Sequence, residues 1–364
     1  MTGKRILQLQ ASLRSRSLDA VLITEPANRR YLSGYTAADH GIQESSGVLL
    51  IPKNGRPRLL TDSRFELQAQ EEAQGFKVEL YRKGLAALLK TLLPELGVRR
   101  LGFESHYFLH AAVSRLEKVL AGATELVPLT GLIERMREIK SEEEISLIRQ
   151  SVRLNERIFQ QVSRTIAPGM TEIEIALAVE RSMRENGAER PSFDTIVAFG
   201  SNAAKPHAVP TDRVLREGEI VLIDMGLILK GWCSDMTRTL FVGKPDSLFL
   251  DRLRAVRKAQ LAAVKAIRAG AVCREVDQAA RQVLDQAGMG KAFGHSLGHG
   301  VGLAVHEAPS LNPRNRKQLR AGMIVTIEPG VYFPGWGGIR LENMAVVREG
   351  GCELLNEDTT GLDL

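Results

Sequence analysis

Two aspartates, Asp224 and Asp235, lie within stretches that otherwise have the composition of buried β-strands. The residues before Asp224 and after Asp235 are mostly branched apolar and aromatic types, and Lys230 and Gly231 supply a turn between the two runs. The segment predicts a β-hairpin that places Asp224 opposite about position 236. Facing carboxylates repel each other and are costly to bury. Either one aspartate is salt-bridged and the other reaches solvent, or a positive group lies between them.

An internal repeat favours the positive group. The segment around Gly169 recurs at Gly270, 101 residues later, and each copy has the pattern of a long helix, a glycine-containing turn and a second helix. The strands that follow match at an offset of 104, which aligns Asp224 with Glu328. The carboxylate position is therefore itself repeated.

Glu342 is a fourth carboxylate, in addition to Asp224, Asp235 and Glu328. A second predicted hairpin turns at residues 334–338 and carries Glu342 where the first hairpin carries Asp235. Acids at equivalent positions of two repeats are poorly explained as surface residues. Four clustered carboxylates need about four positive charges, which two divalent cations would supply.

Three histidines, His295, His299 and His306, lie close together in a glycine-rich segment of a chain with 7 histidines. Glycines let the backbone pack closely against a site. The segment lacks the strand–loop–helix context of a nucleotide-binding loop and has histidines where a pyrophosphate would lie, so we reject that interpretation. One such histidine alone is usually a core or surface residue, but three together favour a fifth ligand from this segment.

The composition is that of an ordinary globular protein. The 364 residues suffice for two domains, with 44% apolar and 25% charged residues. No signal-peptide core and no membrane-length apolar run is present, which predicts a cytoplasmic protein without a membrane segment. The net charge of +6 is spread along the chain, so no nucleic-acid partner is expected. The 3 cysteines form no CxxC pair and suit a reducing compartment.

The order of the predicted helices and strands indicates two domains, residues 1–130 and residues 131–364. The first has the alternating pattern of an α/β domain, with a boundary just before a charge-dense helix. That helix is predicted to run from about residue 134 to Ile166, with Glu142–Glu144 as a solvated first turn. The expected strands of the first domain are residues 20–24, 47–52, 57–62, 77–82, 99–104 and 124–129, and the expected helices are residues 63–74, 84–96 and 106–120.

Several motifs, in this order, resemble a known metallopeptidase family. "PHAVPT", "IDMG", "SDMTRT", "GHGVGLAVHEAP", "TIEPG" and "GIRLEN" are similar to those of methionine aminopeptidases, aminopeptidase P and prolidase. "NRRYLSGYT" and "LLTDSRFELQAQ" resemble the N-terminal domain of prolidase, aminopeptidase P and creatinase. The resemblance implies an α/β (α+β) chain with a C-terminal pita-bread fold of duplicated halves.

The resemblance also implies five metal ligands. They are Asp224, Asp235, His299, Glu328 and Glu342, with Asp235 and Glu342 bridging both ions. Oxygen ligands with one imidazole favour Mn²⁺ or Co²⁺, with Fe²⁺ and Zn²⁺ as alternatives. Two such ions activate a water molecule and polarise the scissile carbonyl.

Further roles follow from the same resemblance. Glu328 matches the proton shuttle, His306 matches the histidine that steadies the tetrahedral intermediate, and His207 and His295 match histidines near the substrate. Arg340 matches an arginine that pairs with site carboxylates, unless it is a surface residue on an exposed strand.

Two positions depart from the family pattern. Asn343 replaces the usual Asp after Glu342, and Ala208 replaces a usual Gly. The side chain of Asn343 is expected to point away from that of Glu342.

By this resemblance, the N-terminal domain implies hydrolysis of Xaa-Pro bonds. The compact core and "FGHSLGHGVGL" look closer to short bacterial and archaeal prolidase-like enzymes than to the longer aminopeptidase P. The predicted protein is a homodimeric Xaa-Pro dipeptidase acting on proline-containing di- or oligopeptides. The alternative is an aminopeptidase P acting on longer peptides, and a more remote one is a metal-dependent lyase. Creatinase and inactive binding relatives are disfavoured because the full ligand set is retained.

Overall fold

The computed structural model describes residues 2–357, in two compact units that divide between Met136 and Arg137. The N-terminal unit contains one mixed six-stranded sheet in the order β4-β3-β2-β1-β5-β6. Its strands are β1 Ala20–Ile23, β2 Val48–Pro52, β3 Arg58–Thr61, β4 Lys77–Leu80, β5 Arg100–Glu104 and β6 Glu125–Leu129. Its helices are α1 Thr2–Ser15, α2 Pro26–Ser33, α3 Glu66–Glu72, α4 Leu85–Glu95 and α5 His110–Leu120. The short helix α6 Glu134–Arg137 contains the point of division.

All six strands and all three helices predicted for this unit are confirmed. Sequence reasoning missed α1 and α2. In α1, Leu9 and Leu13 are fully buried and recur with helical spacing. Within residues 2–357, no helix combines the length and the apolar composition that crossing a bilayer requires.

The C-terminal unit begins its regular structure with two helix pairs that follow the predicted repeat. The helices are α7 Glu142–Ser163, α8 Glu172–Glu185, α9 Ser247–Ala266 and α10 Cys273–Gln286. In the first half, Thr171 bridges to Val214, and in the second half Val272 bridges to Gln318. The duplication is thus visible in the backbone pairing as well as in the sequence.

The single helix predicted from residue 134 to Ile166 is wrong in its first part. The structure has α6, a break, and then α7, because Ser141 caps a new helix. The Ser141 hydroxyl accepts from the Glu144 backbone N–H, and the Glu144 carboxylate accepts from the Ser141 N–H. The acidic triplet is the first turn as predicted, although Glu144 is buried rather than solvated.

The strands of the C-terminal unit form four small sheets, ordered β11-β10-β7, β12-β9-β8, β14-β13-β15-β18-β19 and β16-β17. They are β7 Arg190–Pro191, β8 Ile196–Phe199, β9 Ile220–Met225, β10 Leu227–Leu229, β11 Trp232–Cys233, β12 Met236–Phe241, β13 Gly298–Gly300, β14 Glu307–Leu311, β15 Ile324–Ile327, β16 Gly330–Phe333, β17 Gly337–Arg340, β18 Asn343–Arg348 and β19 Gly351–Leu354. With the two helix pairs, they form the predicted α/β pita-bread fold.

The hairpin predicted around Lys230 and Gly231 is confirmed, with a register one residue from the expected one. Both turn residues have positive φ, at 51° and 84°, which suits a tight hairpin. Asp224 lies opposite Thr237 rather than position 236. The strands also change sheets near Gly226, where the backbone of Ser234 leaves no space for a Cβ.

Candidate metal centre

The candidate ligands come from strand ends of both duplicated halves. Asp224 is on β9, Asp235 directly precedes β12, and His299 is the middle residue of β13. Glu328 follows β15, and Glu342 lies between β17 and β18. The duplicated strands thus direct four carboxylates and one imidazole toward one place.

Three of these residues form the tightest group. Ligand-type atoms of Asp235, His299 and Glu342 all lie within 4.8 Å of one another. Glu328 adjoins them, with its Oε1 3.3 Å from Nε2 of His299, and Oδ2 of Asp235 lies 3.6 Å from the same nitrogen.

The proton on His299 lies away from these carboxylates. Its Nδ1 is 3.0 Å from the carbonyl oxygen of Gly300, so Nδ1 carries the hydrogen and donates it. Burial lowers the pKa of His299 to about 4, which keeps the ring neutral. Nε2 therefore presents a lone pair toward Asp235 and Glu328. An imidazole lone pair beside two carboxylates is a donor set that suits a bound cation.

The positive charge near Asp235, Glu328 and Glu342 does not balance their negative charge. Burial, together with the charges of Glu342, Asp224 and Glu328, raises the pKa of Asp235 well above its usual range. Burial likewise raises the pKa of Glu342 well above its usual range and that of Glu328 to about 8. Uncompensated buried carboxylates are costly, and divalent cations would remove that cost.

Asp224 is the candidate carboxylate with a close arginine partner. Its Oδ2 accepts from Nη2 of Arg340 at 2.6 Å, and both side chains are buried. The alternative of one salt-bridged aspartate and one solvent-exposed aspartate is right for Asp224, which is salt-bridged. It is wrong for Asp235, which is only 5% exposed. Arg340 is buried, so the alternative that it is a surface residue on an exposed strand is wrong.

Two buried carboxylate oxygens remain available for a metal. Within residues 2–357, Oδ1 of Asp224 and Oε1 of Glu342 have no hydrogen-bond partner. Buried polar atoms of this kind are rare and call for a ligand. Together with the lone pair of His299, they fit an oxygen-rich divalent-metal site.

Arg340 is tied into a chain of polar contacts that sequence reasoning missed. Its Nη1 donates to the hydroxyl of Tyr332 at 2.7 Å, and that hydroxyl lies 2.9 Å from Nε2 of His295. Nδ1 of His295 donates to the carbonyl of Ser296, so Nε2 accepts the Tyr332 proton. Nothing in the sequence indicated a role for Tyr332 except its place on the strand that pairs with β17.

Two threonines also hold the ligands and were missed. The hydroxyl of Thr237 donates to Oε2 of Glu342 at 2.8 Å. The hydroxyl of Thr326 donates to Oε1 of Glu328 at 3.0 Å and accepts from the backbone N–H of His299. Strand alternation gives a signal for Thr237, since it lies two residues after Asp235 and on the same strand face.

His207, His295 and His306 line the same cavity as the candidate ligands. The cavity has a volume of about 520 Å³, and Phe193, Ile196 and Val209 supply apolar wall. The ring of His306 lies 4.4 Å from that of His299, centroid to centroid. All nine residues predicted for the site are therefore brought together.

A buried ion cluster lies directly behind His306. The carboxylate of Glu307 accepts from Arg137 at 2.5 Å, from Lys140 at 3.2 Å and from the backbone N–H of Ala304 at 3.0 Å. Burial alone would raise the pKa of Glu307, but the charges of Lys140 and Arg137 outweigh it and lower the pKa to about 2. The carboxylate is thus a fixed anchor for the strand that starts next to His306.

Asn343, which stands where the family usually has Asp, forms a hydrogen bond with Arg238. Its Oδ1 accepts from Nη2 of Arg238 at 2.9 Å, while Nη1 of the same arginine donates to the backbone carbonyl of Glu342. The side chain of Asn343 therefore contacts Arg238.

These features define a divalent-metal centre of the hydrolytic type, with oxygen ligands and one imidazole beside a substrate-sized cavity. Residues 146–349 match metallopeptidase family M24, and residues 5–139 match the creatinase/prolidase N-terminal domain. The chain belongs to metallopeptidase family M24.

Relatives and solved structures extend this result over the chain. An Xaa-Pro dipeptidase of Pyrococcus horikoshii is 36% identical over 341 residues, covering 94% of this chain and 93% of that protein. A structure of an Xaa-Pro dipeptidase from Bacillus anthracis superposes with a TM-score of 0.92 at 35% identity, covering 100% and 99% of the two chains. An X-Pro aminopeptidase from Thermotoga maritima superposes with a TM-score of 0.87 at 35% identity, covering 96% and 98%.

Proposed function

We propose that this protein is a metal-dependent Xaa-Pro dipeptidase. The observation that carries the proposal is the convergence of His299 Nε2, whose ring hydrogen lies on Nδ1, with carboxylate oxygens of Asp235 and Glu328. A dipeptide-sized cavity opens onto this cluster. The dipeptidases from Pyrococcus horikoshii and Bacillus anthracis support the substrate class.

The proposal assigns two divalent ions to the cluster. Their ligands would be Asp224, Asp235, His299, Glu328 and Glu342, with Asp235 and Glu342 shared between the ions. When bound, such a pair supplies Lewis acidity and an activated water molecule. Mn²⁺ or Co²⁺ suits this donor set best, with Fe²⁺ and Zn²⁺ as alternatives.

The chain's own residues would orient the substrate and the ligands. Arg340 fixes the orientation of Asp224 through Oδ2, and Oδ1 has no hydrogen-bond partner in the described residues. Glu328, anchored through Oε1 by Thr326, is proposed to move the proton. His306 is placed to donate a hydrogen bond to the oxygen on which charge develops. His207 and His295 would contact the substrate within the cavity.

A prolidase needs a cation for the free carboxylate of the dipeptide, and Arg340 is poorly suited to that task. Its N–H groups already donate to Thr237, Tyr332, Asp224 and the carbonyl of Pro206. An arginine has five such hydrogens, so little capacity remains. Burial lowers the pKa of His306 and lowers that of His295 to about 4, which disfavours both as cations. The carboxylate contact is therefore assigned to His207, which is exposed in the cavity wall.

The second candidate is an aminopeptidase that acts on longer Xaa-Pro peptides. The X-Pro aminopeptidase from Thermotoga maritima, at a TM-score of 0.87, supports it. The two activities differ in what lies beyond the proline, where an aminopeptidase must leave the end open for further residues.

The test compares kcat/KM for Met-Pro, Met-Pro amide and a Met-Pro-Xaa tripeptide at equal metal loading. Preference for the free dipeptide is expected, since loss of a charge-assisted contact costs about 1.5 to 3 kcal/mol. Equal or better cleavage of the tripeptide would make the protein an aminopeptidase P. Cleavage of none of the three would favour a metal-dependent lyase.

The proposal extends to the organisation of the protein. Residues 131–364 are assigned as the catalytic domain and residues 1–130 as the N-terminal domain, in a homodimer that sedimentation analysis can test. A cytoplasmic location is proposed because Cys233, Cys273 and Cys352 are all free thiols. Cell fractionation tests that location.

A further inference from the structure

A buried glutamine joins the two backbone segments that precede Glu328 and Glu342. Gln260 lies on α9 and is 1% exposed. Its Nε2 donates to the carbonyl of Ile327 at 3.2 Å and to the carbonyl of Leu341 at 3.1 Å. Ile327 directly precedes Glu328 and Leu341 directly precedes Glu342, so one side-chain amide is bonded next to both candidate ligands.

A second residue fixes the direction of this amide. Nη1 of Arg257, also buried, donates to Oε1 of Gln260 at 2.7 Å. An amide has two hydrogens on its nitrogen and only acceptor sites on its oxygen. With the oxygen held by Arg257, both hydrogens of Gln260 point to the two carbonyls.

Backbone contacts also hold the two ligand segments: the N–H of Leu341 donates to the carbonyl of Pro329 at 3.4 Å, and Ile327 pairs with Asn343. The N–H of Glu328 donates to the carbonyl of Leu297 at 2.9 Å, and the N–H of Glu342 donates to the carbonyl of Thr237 at 3.1 Å. Gln260 adds a side-chain bridge to these backbone links, with one amide bonded directly before both ligands.

We propose that Gln260 is a positioning residue that sets the separation of Glu328 and Glu342 and thereby the affinity for metal. This inference rests on the metal site of the proposed function. The first half of the repeat has a similar device: Nδ2 of Asn155 on α7 donates to the carbonyl of Met225, directly after Asp224, at 2.9 Å. In both halves, the long helix thus donates an amide beside a candidate ligand.

The test uses Gln260→Met, which keeps the volume of the side chain and removes both donors. Gln10→Met is the matched control, because Nε2 of buried Gln10 also bridges two carbonyls, those of Pro52 and Gly55, each at 2.9 Å. Neither carbonyl adjoins a candidate ligand. The measurements are the apparent Kd for Mn²⁺, by competition with a fluorescent chelator, and the Tm of the chelated protein.

Gln260→Met is expected to weaken Mn²⁺ binding by at least about tenfold, as for other residues that orient metal ligands. Gln10→Met should lower the Tm of the chelated protein and leave the Kd unchanged. Gln260→Glu should also weaken binding, because an ionised carboxylate still accepts from Arg257 but donates nothing to the carbonyls. It replaces Gln260→Met in the comparison if that variant does not fold.

Two results would overturn the inference. One is a Gln260 variant that binds Mn²⁺ as tightly as the wild type, and the other is an equal loss of affinity in Gln10→Met, which would indicate general destabilisation. A wild-type protein that binds no divalent metal would instead overturn the proposed function on which the inference rests.

Discussion

Asp224 and Glu342 each have one oxygen held by the protein and one without a hydrogen-bond partner in the described residues. Oδ2 of Asp224 is bonded to Arg340, and Oε2 of Glu342 is bonded to Thr237. Oδ1 of Asp224 and Oε1 of Glu342 remain unpaired. The anchored oxygen fixes the direction of the carboxylate, so the unpaired oxygen can serve as a preorganised ligand.

Glu342→Gln should abolish dipeptide cleavage. The substitution keeps the shape of the side chain but removes the charge proposed to bridge both ions. Glu349→Gln is the control, because Glu349 is an exposed residue outside the motifs of the same C-terminal stretch. Activity and metal content of both variants are measured together, and comparable losses in the two would contradict the site assignment.

His306→Ala should lower kcat by on the order of 10² and leave the metal content intact. The reason is loss of a hydrogen-bond donor to the developing charge, since His306 lines the cavity beside His299. His110→Ala, at an exposed histidine of α5, should be close to neutral. Loss of a metal ion from His306→Ala would mean that the imidazole ligand has been assigned to the wrong histidine.

The four candidate carboxylates could be predicted from the sequence because acids inside apolar strands are rare and here occupy equivalent places in two repeats, whereas His299 was singled out as the imidazole ligand by the family resemblance. The supporting residues could not be predicted. Tyr332, Thr326 and Gln260 are ordinary residue types in ordinary positions, and their roles depend on which backbone groups they meet after folding.

Strand β13 carries His299 into the site through a close backbone approach. A Cβ at Gly298 would collide with the carbonyl oxygen of Thr326. This bears out the expectation that glycines in this segment allow close packing. At Gly294, by contrast, an added Cβ would meet nothing within 4 Å.

Gly298→Ala should therefore displace β13 and lower both stability and activity. Overpacking of this kind typically costs about 1 to 3 kcal/mol. Gly294→Ala in the same segment should leave the Tm and kcat/KM near those of the wild type. Thermal unfolding and Met-Pro cleavage measure both effects, and a neutral Gly298→Ala would show that β13 can shift without moving His299.

Element prediction found the strands of the N-terminal unit, missed the whole of α1 and α2, and misplaced the start of α7. The six strands of the N-terminal unit are short apolar runs bounded by turn residues, and all were found. The break before α7 was missed because the charge-dense stretch keeps a helical pattern across Ser141. The capping box of Ser141 and Glu144 is the local signal that would have located it.

Duplication organises the C-terminal unit as a whole. Each half supplies a helix pair and a set of strands, and each contributes two of the four carboxylates. Repeats reveal this from the sequence, because equivalent residues recur at offsets of 101 and 104. The position of Thr237 opposite Asp224 follows from the two-residue turn at Lys230 and Gly231, because one register runs from the Leu229–Trp232 pair to the Asp224–Thr237 pair. The expected position 236 is therefore one residue short.

We propose that a pair of divalent ions both completes this unit and makes it a peptidase. The direct test is titration of chelated protein with Mn²⁺ or Co²⁺, recording bound ions per chain, Tm and Met-Pro cleavage. The predicted result is two ions bound, a raised Tm because the carboxylates no longer repel, and restored cleavage. Metal addition that changes neither the Tm nor the activity would contradict the claim.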